Sequence, residues 1–149
     1  MEFRKANKND IDLFTQNRVD FITSIRKIDD LSTFECNTRN YLEQNIETNN
    51  LFIYLAVENK HIVSSCMACV TRTAPRPSSI NGISAELLNV YTLEPYRRNG
   101  YAEKLLNMLF SDLKEIQVEK MLLDYTDMGF PLYQKLGFVP LEKQMQLKL

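Results

Sequence analysis

Apolar and polar residues alternate along this chain with two different periods, and the switches between them mark its elements. Phe3 to Ala6 reads as a short first strand. After it, Ile11, Phe14, Phe21, Ile22 and Ile25 recur at helical spacing, and Asn7 with Asp10 at the start has the form of a capping box. Beyond the acidic break at Asp29 and Asp30, Leu31, Phe34, Tyr41, Leu42 and Ile46 form one face of a second helix, which the polar run Glu47 to Asn50 ends. Leu51 to Val57 and Ile62 to Thr71 have the composition of strands, and the short polar connection Glu58 to His61 predicts an antiparallel hairpin. Arg72 to Gly82, rich in turn residues, predicts a long loop, and Ile83 to Tyr91 predicts a further strand.

The period then changes abruptly. Pro95-Tyr-Arg-Arg-Asn-Gly100 leads into a helix whose stripe of Ala102, Leu105, Leu106, Leu109, Phe110 and Leu113 is wide enough to cover a sheet. Met121 to Tyr125 is a near-continuous apolar strand, so the strand, helix and strand together predict a parallel pair joined by a crossover. Pro131 opens a short helix, Leu132 to Leu136, which Gly137 closes at C′, and Phe138 to Leu149 is expected to supply the last strands. No repeat, low-complexity tract or linker divides residues 1–149, so the expectation is one α/β (α+β) domain built on a mixed sheet.

Composition narrows what such a domain can bind. A hydrophobic share of 44% against 25% charged residues excludes a disordered chain. With 18 Lys plus Arg against 19 Asp plus Glu, the net charge of −1 offers no global field for a polyanion, which argues against nucleic acid as a partner. No stretch approaches the roughly 18 to 20 apolar residues of a membrane span, and Met1 to Lys5 has no apolar signal core, so a cytoplasmic location with no membrane partner is expected. Three cysteines do not make a disulfide framework. Cys66 and Cys69 lie on one predicted strand at positions that face opposite sides, so their sulfurs cannot converge, and no metal is expected. His61 falls in the hairpin turn and is read as solvated.

Any anion site must therefore be local, and Glu86 to Ala102 supplies one. A helix start carries backbone N–H groups without intrahelical partners and the positive end of the helix dipole. Asn99 is the predicted N-cap, Gly100 lets the backbone approach a bulky ligand, and Arg97 and Arg98 add charge. The missing Lys-(Ser/Thr) after Gly100 speaks against a nucleotide-binding P-loop.

Arg97-Arg-Asn-Gly-Tyr-Ala102 fits the pattern (Gln/Arg)-x-x-Gly-x-(Gly/Ala). Its context is the strand Asn89-Val-Tyr-Thr92, the Pro95-Tyr96 lead-in and Leu132-Tyr-Gln-Lys-Leu-Gly-Phe138 near the end. With these residues the chain resembles the GNAT superfamily of acetyl-CoA-dependent N-acetyltransferases, and Arg4-Lys-Ala with Asn9-Asp-Ile11 extends the resemblance to the family's opening strand and helix. The resemblance implies acetyl-CoA as cosubstrate, held in a V-shaped opening between two splayed parallel strands. Its pyrophosphate would rest on the amides of Arg98, Asn99, Gly100, Tyr101, Ala102 and Glu103, with Arg97 leading into the turn. The pantetheine arm would lie along the strand edge at Val90, Tyr91 and Thr92. The physical reading agrees, since a diphosphate suits a helix N-terminus and an amide-containing arm suits an open strand edge.

The same resemblance implies direct attack of a free amine on the acetyl carbonyl, which needs a proton acceptor for the ammonium and a proton donor for the leaving thiolate. Tyr133 stands where the family carries its usual donor. Glu86 stands at the offset before Gly100 at which the family's histone acetyltransferases carry their catalytic glutamate, although many members use a water chain, and both routes stay open. A backbone N–H at Val90 or Tyr91 would polarise the carbonyl. Where many members carry Asn, this chain has Thr126 followed by Asp127, and threonine reaches less far toward the pantetheine region. The first two helices and the Arg72 to Gly82 loop would wall the acceptor site. There Arg18, Asp20, Arg26, Asp29 and Asp30 either read a zwitterionic substrate or form a solvated helix face. The expected function is acetylation of a primary amine on a small or amino-acid-like molecule. The alternative is a non-catalytic acyl-CoA-binding or regulatory domain. A homodimer joined through the apolar C-terminal strand is expected.

Overall fold

Five strands form one sheet whose order in space is their order in the chain, β1-β2-β3-β4-β5. The structure, a computed structural model, describes residues 1–142 and 144–149. Strands β1 (Glu2–Lys5), β2 (Leu51–Glu58), β3 (His61–Arg72) and β4 (Ile83–Thr92) pair antiparallel in succession, and β5 (Lys120–Leu122) lies parallel to β4. Helices α1 (Ile11–Ile25) and α2 (Leu31–Asn45) separate β1 from β2, α3 (Tyr101–Glu115) is the crossover between β4 and β5, and α4 (Phe130–Lys135) follows β5. No helix among the described residues is long and apolar enough to cross a membrane.

The alternation of the strands builds a core on each face. Phe52, Tyr54, Ala68, Ala85 and Leu87 meet the stripe of α3, where Leu105, Leu106 and Leu109 are fully buried, each worth roughly 1.5 to 3 kcal/mol. Ile53, Leu55 and Met67 meet Ile11 and Phe14 of α1 and Leu42 of α2 on the other face. The β2–β3 turn is tight because Asn59 and Lys60 both take left-handed backbone angles, as a two-residue hairpin turn requires. The capping box at Asn7 and Asp10 is present and heads a single 3-10 turn that runs into α1.

Two expectations fail after α3. The last strand of the sheet is Lys120–Leu122 rather than Met121 to Tyr125, because the chain begins the turn into α4 at Thr126, whose carbonyl accepts the N–H groups of Gly129 and Phe130 at 3.0 Å each. Phe138 to Leu149 supplies no strand among the described residues, and position 143 of that stretch lies outside them. Val139, Leu141, Met145, Leu147 and Leu149 are exposed. An alternating run gains nothing from strand geometry without a neighbouring edge to pair with, and Pro140 removes one donor from the ladder.

Candidate active site

The site begins at a fork in β4. β5 pairs with it only at Ser84, Ala85 and Glu86, so from Leu87 onward that edge has no strand partner among the described residues. Just beyond the last rung the β3–β4 register slips between Ser65 and Met67, and Asn89 takes φ 52°, a left-handed angle that asparagine tolerates better than most residues. The side chain of Asn89 is buried, with Nδ2 donating to Asn17 Oδ1 at 3.2 Å and Ser65 Oγ at 3.1 Å, while Ser65 Oγ donates to Asn17 Oδ1 at 2.8 Å. This network ties α1 to the bulge and rephases the strand. Val90 packs toward α3 and Tyr91 toward α1, its ring 5.1 Å from that of Phe21. Leu93 donates to the Val63 carbonyl, so the backbone of Tyr91 faces β3 and that of Thr92 faces the open edge. There the Thr92 carbonyl accepts Arg97 Nε at 3.1 Å, and its hydroxyl bonds Ser64 Oγ at 2.7 Å.

The open edge leads to the start of α3. Gly100, at φ 75°, is the N-cap, and no side chain caps the helix. Asn99 is not the cap: its Nδ2 donates backward to the carbonyls of Tyr96 and Arg97 at 3.0 and 3.1 Å and stiffens the turn. Arg98 is also left-handed, at φ 65°. The first backbone bond of α3 runs from Lys104 N–H to the Gly100 carbonyl at 3.0 Å, and the amides from Arg98 through Glu103 donate no hydrogen bond among the described residues. A Cβ on Gly100 would meet nothing within 4 Å, and a cleft of about 530 Å³ opens beside Gly100, Glu103, Lys104, Asn107 and Met108. Free amides, exposed Arg97 and Arg98, and open space together fit a bulky polyanion such as a diphosphate. A larger depression of about 640 Å³, between Met1, Leu13 and the β2–β3 turn, holds none of the predicted site residues.

Helix α4 is joined to this start by an ion pair, Lys135 Nζ to Glu103 Oε2 at 2.7 Å. Tyr133 is half-buried, its ring edge-on to Phe138 at 5.8 Å. A Cβ on Gly129 would sit 2.9 Å from the ring's Cε2, so the glycine that starts α4 lets the ring lie over it. Burial pushes the Tyr133 phenol up to about 12, which keeps it protonated at neutral pH and able to donate. Thr126 is exposed, and its Oγ1 accepts the Gly129 N–H at 3.3 Å, so this side chain takes part in starting α4.

On the α1 and α2 face, Glu86 is exposed on the last rung shared with β5 and sits opposite Cys69 of β3. Of the charged residues read on the first two helices, Asp30 caps α2 through the Thr33 N–H at 3.0 Å and Asp20 accepts Gln16 Nε2 at 2.7 Å, while Arg26 and Asp29 are exposed. Arg18 alone among them reaches the sheet, at Asn89. Cys66 and Cys69 do face opposite sides, and burial pushes the Cys66 thiol up to about 12. Sequence reasoning did not find the Asn17, Ser65 and Asn89 network. Its one signal was an amide, Asn17, standing in the apolar stripe between Phe14 and Phe21.

The architecture is that of solved acetyltransferases. The chain is similar to a predicted acetyltransferase from Clostridium acetobutylicum, whose crystal structure is with acetyl-CoA, at 25% identity and a TM-score of 0.88 over 99% of this chain and 95% of that one. A GCN5-related N-acetyltransferase from Ralstonia eutropha JMP134 follows at 22% identity and 0.85, covering 99% and 97%. Glucosamine-6-phosphate N-acetyltransferase from Arabidopsis thaliana is alike in fold at 14% identity and 0.72, covering 99% of both chains. No curated protein matches in sequence. The profile of the acetyltransferase (GNAT) family matches residues 20–138, a span that takes in the fork of β4, the Arg97 to Ala102 turn and Tyr133, and the chain therefore belongs to that family of enzymes.

Proposed function

We propose that this enzyme transfers the acetyl group of acetyl-CoA to a primary amine of a small molecule by direct attack. The observation that carries the reading is the run of amides from Arg98 through Glu103, unpartnered among the described residues and set directly beyond the open edge of β4. The amides would take the pyrophosphate, and the edge at Val90 and Thr92 would take the pantetheine arm. The acetyl group would then lie at the fork, with Tyr133 on the α3 side and Glu86 on the α1 side. Tyr133, protonated at neutral pH, would give its proton to the leaving thiolate. Glu86, directly or through water, would take the proton of the amine.

Calorimetry with acetyl-CoA and thiol release with an amine panel test this reading. Tyr133→Phe is expected to lower kcat by roughly 10- to 100-fold while leaving acetyl-CoA affinity within about twofold. Full turnover in that variant would remove the tyrosine from the chemistry, and binding without turnover in the unaltered protein would favour an acyl-CoA sensor.

The same chain is proposed to form a homodimer. Val139, Leu141, Met145, Leu147 and Leu149 repeat at strand spacing with their side chains in water, and among the described residues β5 has a neighbour on only one side. Adding this tail to a second copy's β5 edge would bury it. Light scattering should give the mass of two chains, and removal of residues 139–149 should halve it. An unchanged mass after truncation would refute the tail as the joint.

A further inference from the structure

Arg4 and Arg18 both lie against the sheet, and they are held differently. Arg4 grips Asp10 through both terminal nitrogens, at 2.7 and 2.8 Å. Arg18 has no carboxylate within 4.0 Å among the described residues. Its half-buried guanidinium lies 5.8 Å from the centre of the Phe34 ring and makes one long bond, Nη1 donating to Asn89 Oδ1 at 3.4 Å. Burial lowers the guanidinium pKa and outweighs the opposing influence of its titratable neighbours, Cys69, whose own thiol burial keeps protonated, and Glu86. A guanidinium has five N–H donors in a planar fork, and holding its charge away from water without an anion is unfavourable. Among the described residues, most of those donors have no partner.

The place of this cation is fixed by the bulge. Nδ2 of Asn89 is committed to Asn17 and Ser65, so its Oδ1 must turn toward Arg18. Asn89 stands three positions past Glu86, the last rung shared with β5. Arg18 therefore waits on the α1 side of the fork, across the sheet from Tyr133, where an acceptor amine would approach the acetyl group.

We propose that Arg18 binds an anionic group of the acceptor, a carboxylate or a phosphate, so that the amines acetylated here are those carrying a negative charge close to the nitrogen. The proposal rests on the acetyl-transfer reading above. Glu86 on the same face attracts the ammonium end, and the two side chains together select a zwitterion over a simple amine.

Matched acceptor pairs test this directly. Glycine against glycinamide, L-alanine against L-alaninamide and L-serine against L-serinamide probe a carboxylate, and phosphoethanolamine against ethanolamine probes a phosphate. In at least one pair the anionic member should show kcat/KM higher by about tenfold or more, and Arg18→Gln should bring that pair within about threefold through KM, with Arg18→Lys between the two. If no amine is turned over, heat protection of the CoA-saturated protein by the same pairs is read instead. Equal or better performance by every neutral member overturns the proposal, as does an equal loss on both members in Arg18→Gln. Calorimetry with acetyl-CoA alone separates the failures: no binding there defeats the acetyl-transfer reading itself and this proposal with it.

Discussion

Helices α1 and α3 begin in opposite ways. At the 3-10 turn that runs into α1, Asn7 Oδ1 accepts the Asn9 N–H at 2.9 Å, and Asp10 accepts the Asn7 N–H at 2.9 Å while holding Arg4. The protein itself supplies the negative charge that a helix start attracts. At the start of α3 the cap is a glycine, two residues of the turn are left-handed, two arginines precede it, and no amide from Arg98 through Glu103 donates a hydrogen bond among the described residues. The turn that leads into α1 is capped from within the fold, whereas the start of α3 leaves its amides without partners among the described residues, as the proposed anion site requires. Capping residues that are missing are thus as informative as those present, provided the amides they leave face open space.

The largest test is to give α3 the charge that α1 already has. Gly100→Asp sets a carboxylate where the diphosphate would rest and places a side chain at φ 75°. Acetyl-CoA affinity is expected to fall by more than about 100-fold, or roughly 3 kcal/mol, with about 1 kcal/mol of lost stability from the left-handed backbone. A calorimetric loss under tenfold would erase the contrast between the two helix starts.

The reverse test removes charge from α1. Asp10→Asn strips Arg4 of its partner and should lower unfolding stability by about 2 kcal/mol, below the roughly 3 to 5 kcal/mol of a fully buried pair because the Arg4 side chain keeps 29% exposure. Acetyl-CoA affinity should stay within about twofold. The pH dependence has a definite sign. The Arg4 hydrogen bond holds the Asp10 carboxyl below its ordinary 3.8, so its stabilisation is complete above that pH and fades as pH drops through the lowered folded value. Urea titrations between neutral pH and pH 2 should show the variant and the parent converging in acid. Parallel curves would remove Asp10 from the comparison.

The two starts were not equally legible in the sequence. Asn7 and Asp10 announced a closed start because a capping box is local, written within a few residues. Gly100 and the arginines announce an open one, but the pattern puts the cap at Asn99, one residue early, because the Asn99 side chain turns back to the carbonyls of Tyr96 and Arg97, a choice no local pattern encodes. The α3 stripe and the Tyr133 helix were legible through periodicity and the Pro131 and Gly137 signals. The bulge at Asn89 was not, because it depends on α1 delivering Asn17 across 72 positions of chain. The end of the chain misled for the opposite reason: from Val139 its alternation specifies a strand, yet pairing also needs an edge, which no local pattern encodes.

The smallest test separates strain from charge in the α3 turn. Arg98 bears both: its φ of 65° is strained for a side chain, and its exposed guanidinium adds to the field at the amides. Arg98→Gly removes the two together, with opposite consequences. Relief of the left-handed strain is worth roughly 1 to 2 kcal/mol, offset by about 0.5 to 1 kcal/mol for the greater freedom of glycine in the unfolded chain. Unfolding stability should therefore hold or rise by about 0.5 kcal/mol. Acetyl-CoA affinity should fall by about threefold at low salt, as for one exposed charge, and the deficit should shrink as added salt screens the parent. A variant that gains stability and loses affinity shows that the turn keeps an unfavourable backbone for the sake of its ligand. If affinity is unchanged at low salt, the amides alone hold the anion, and Arg98 contributes only the shape of the turn.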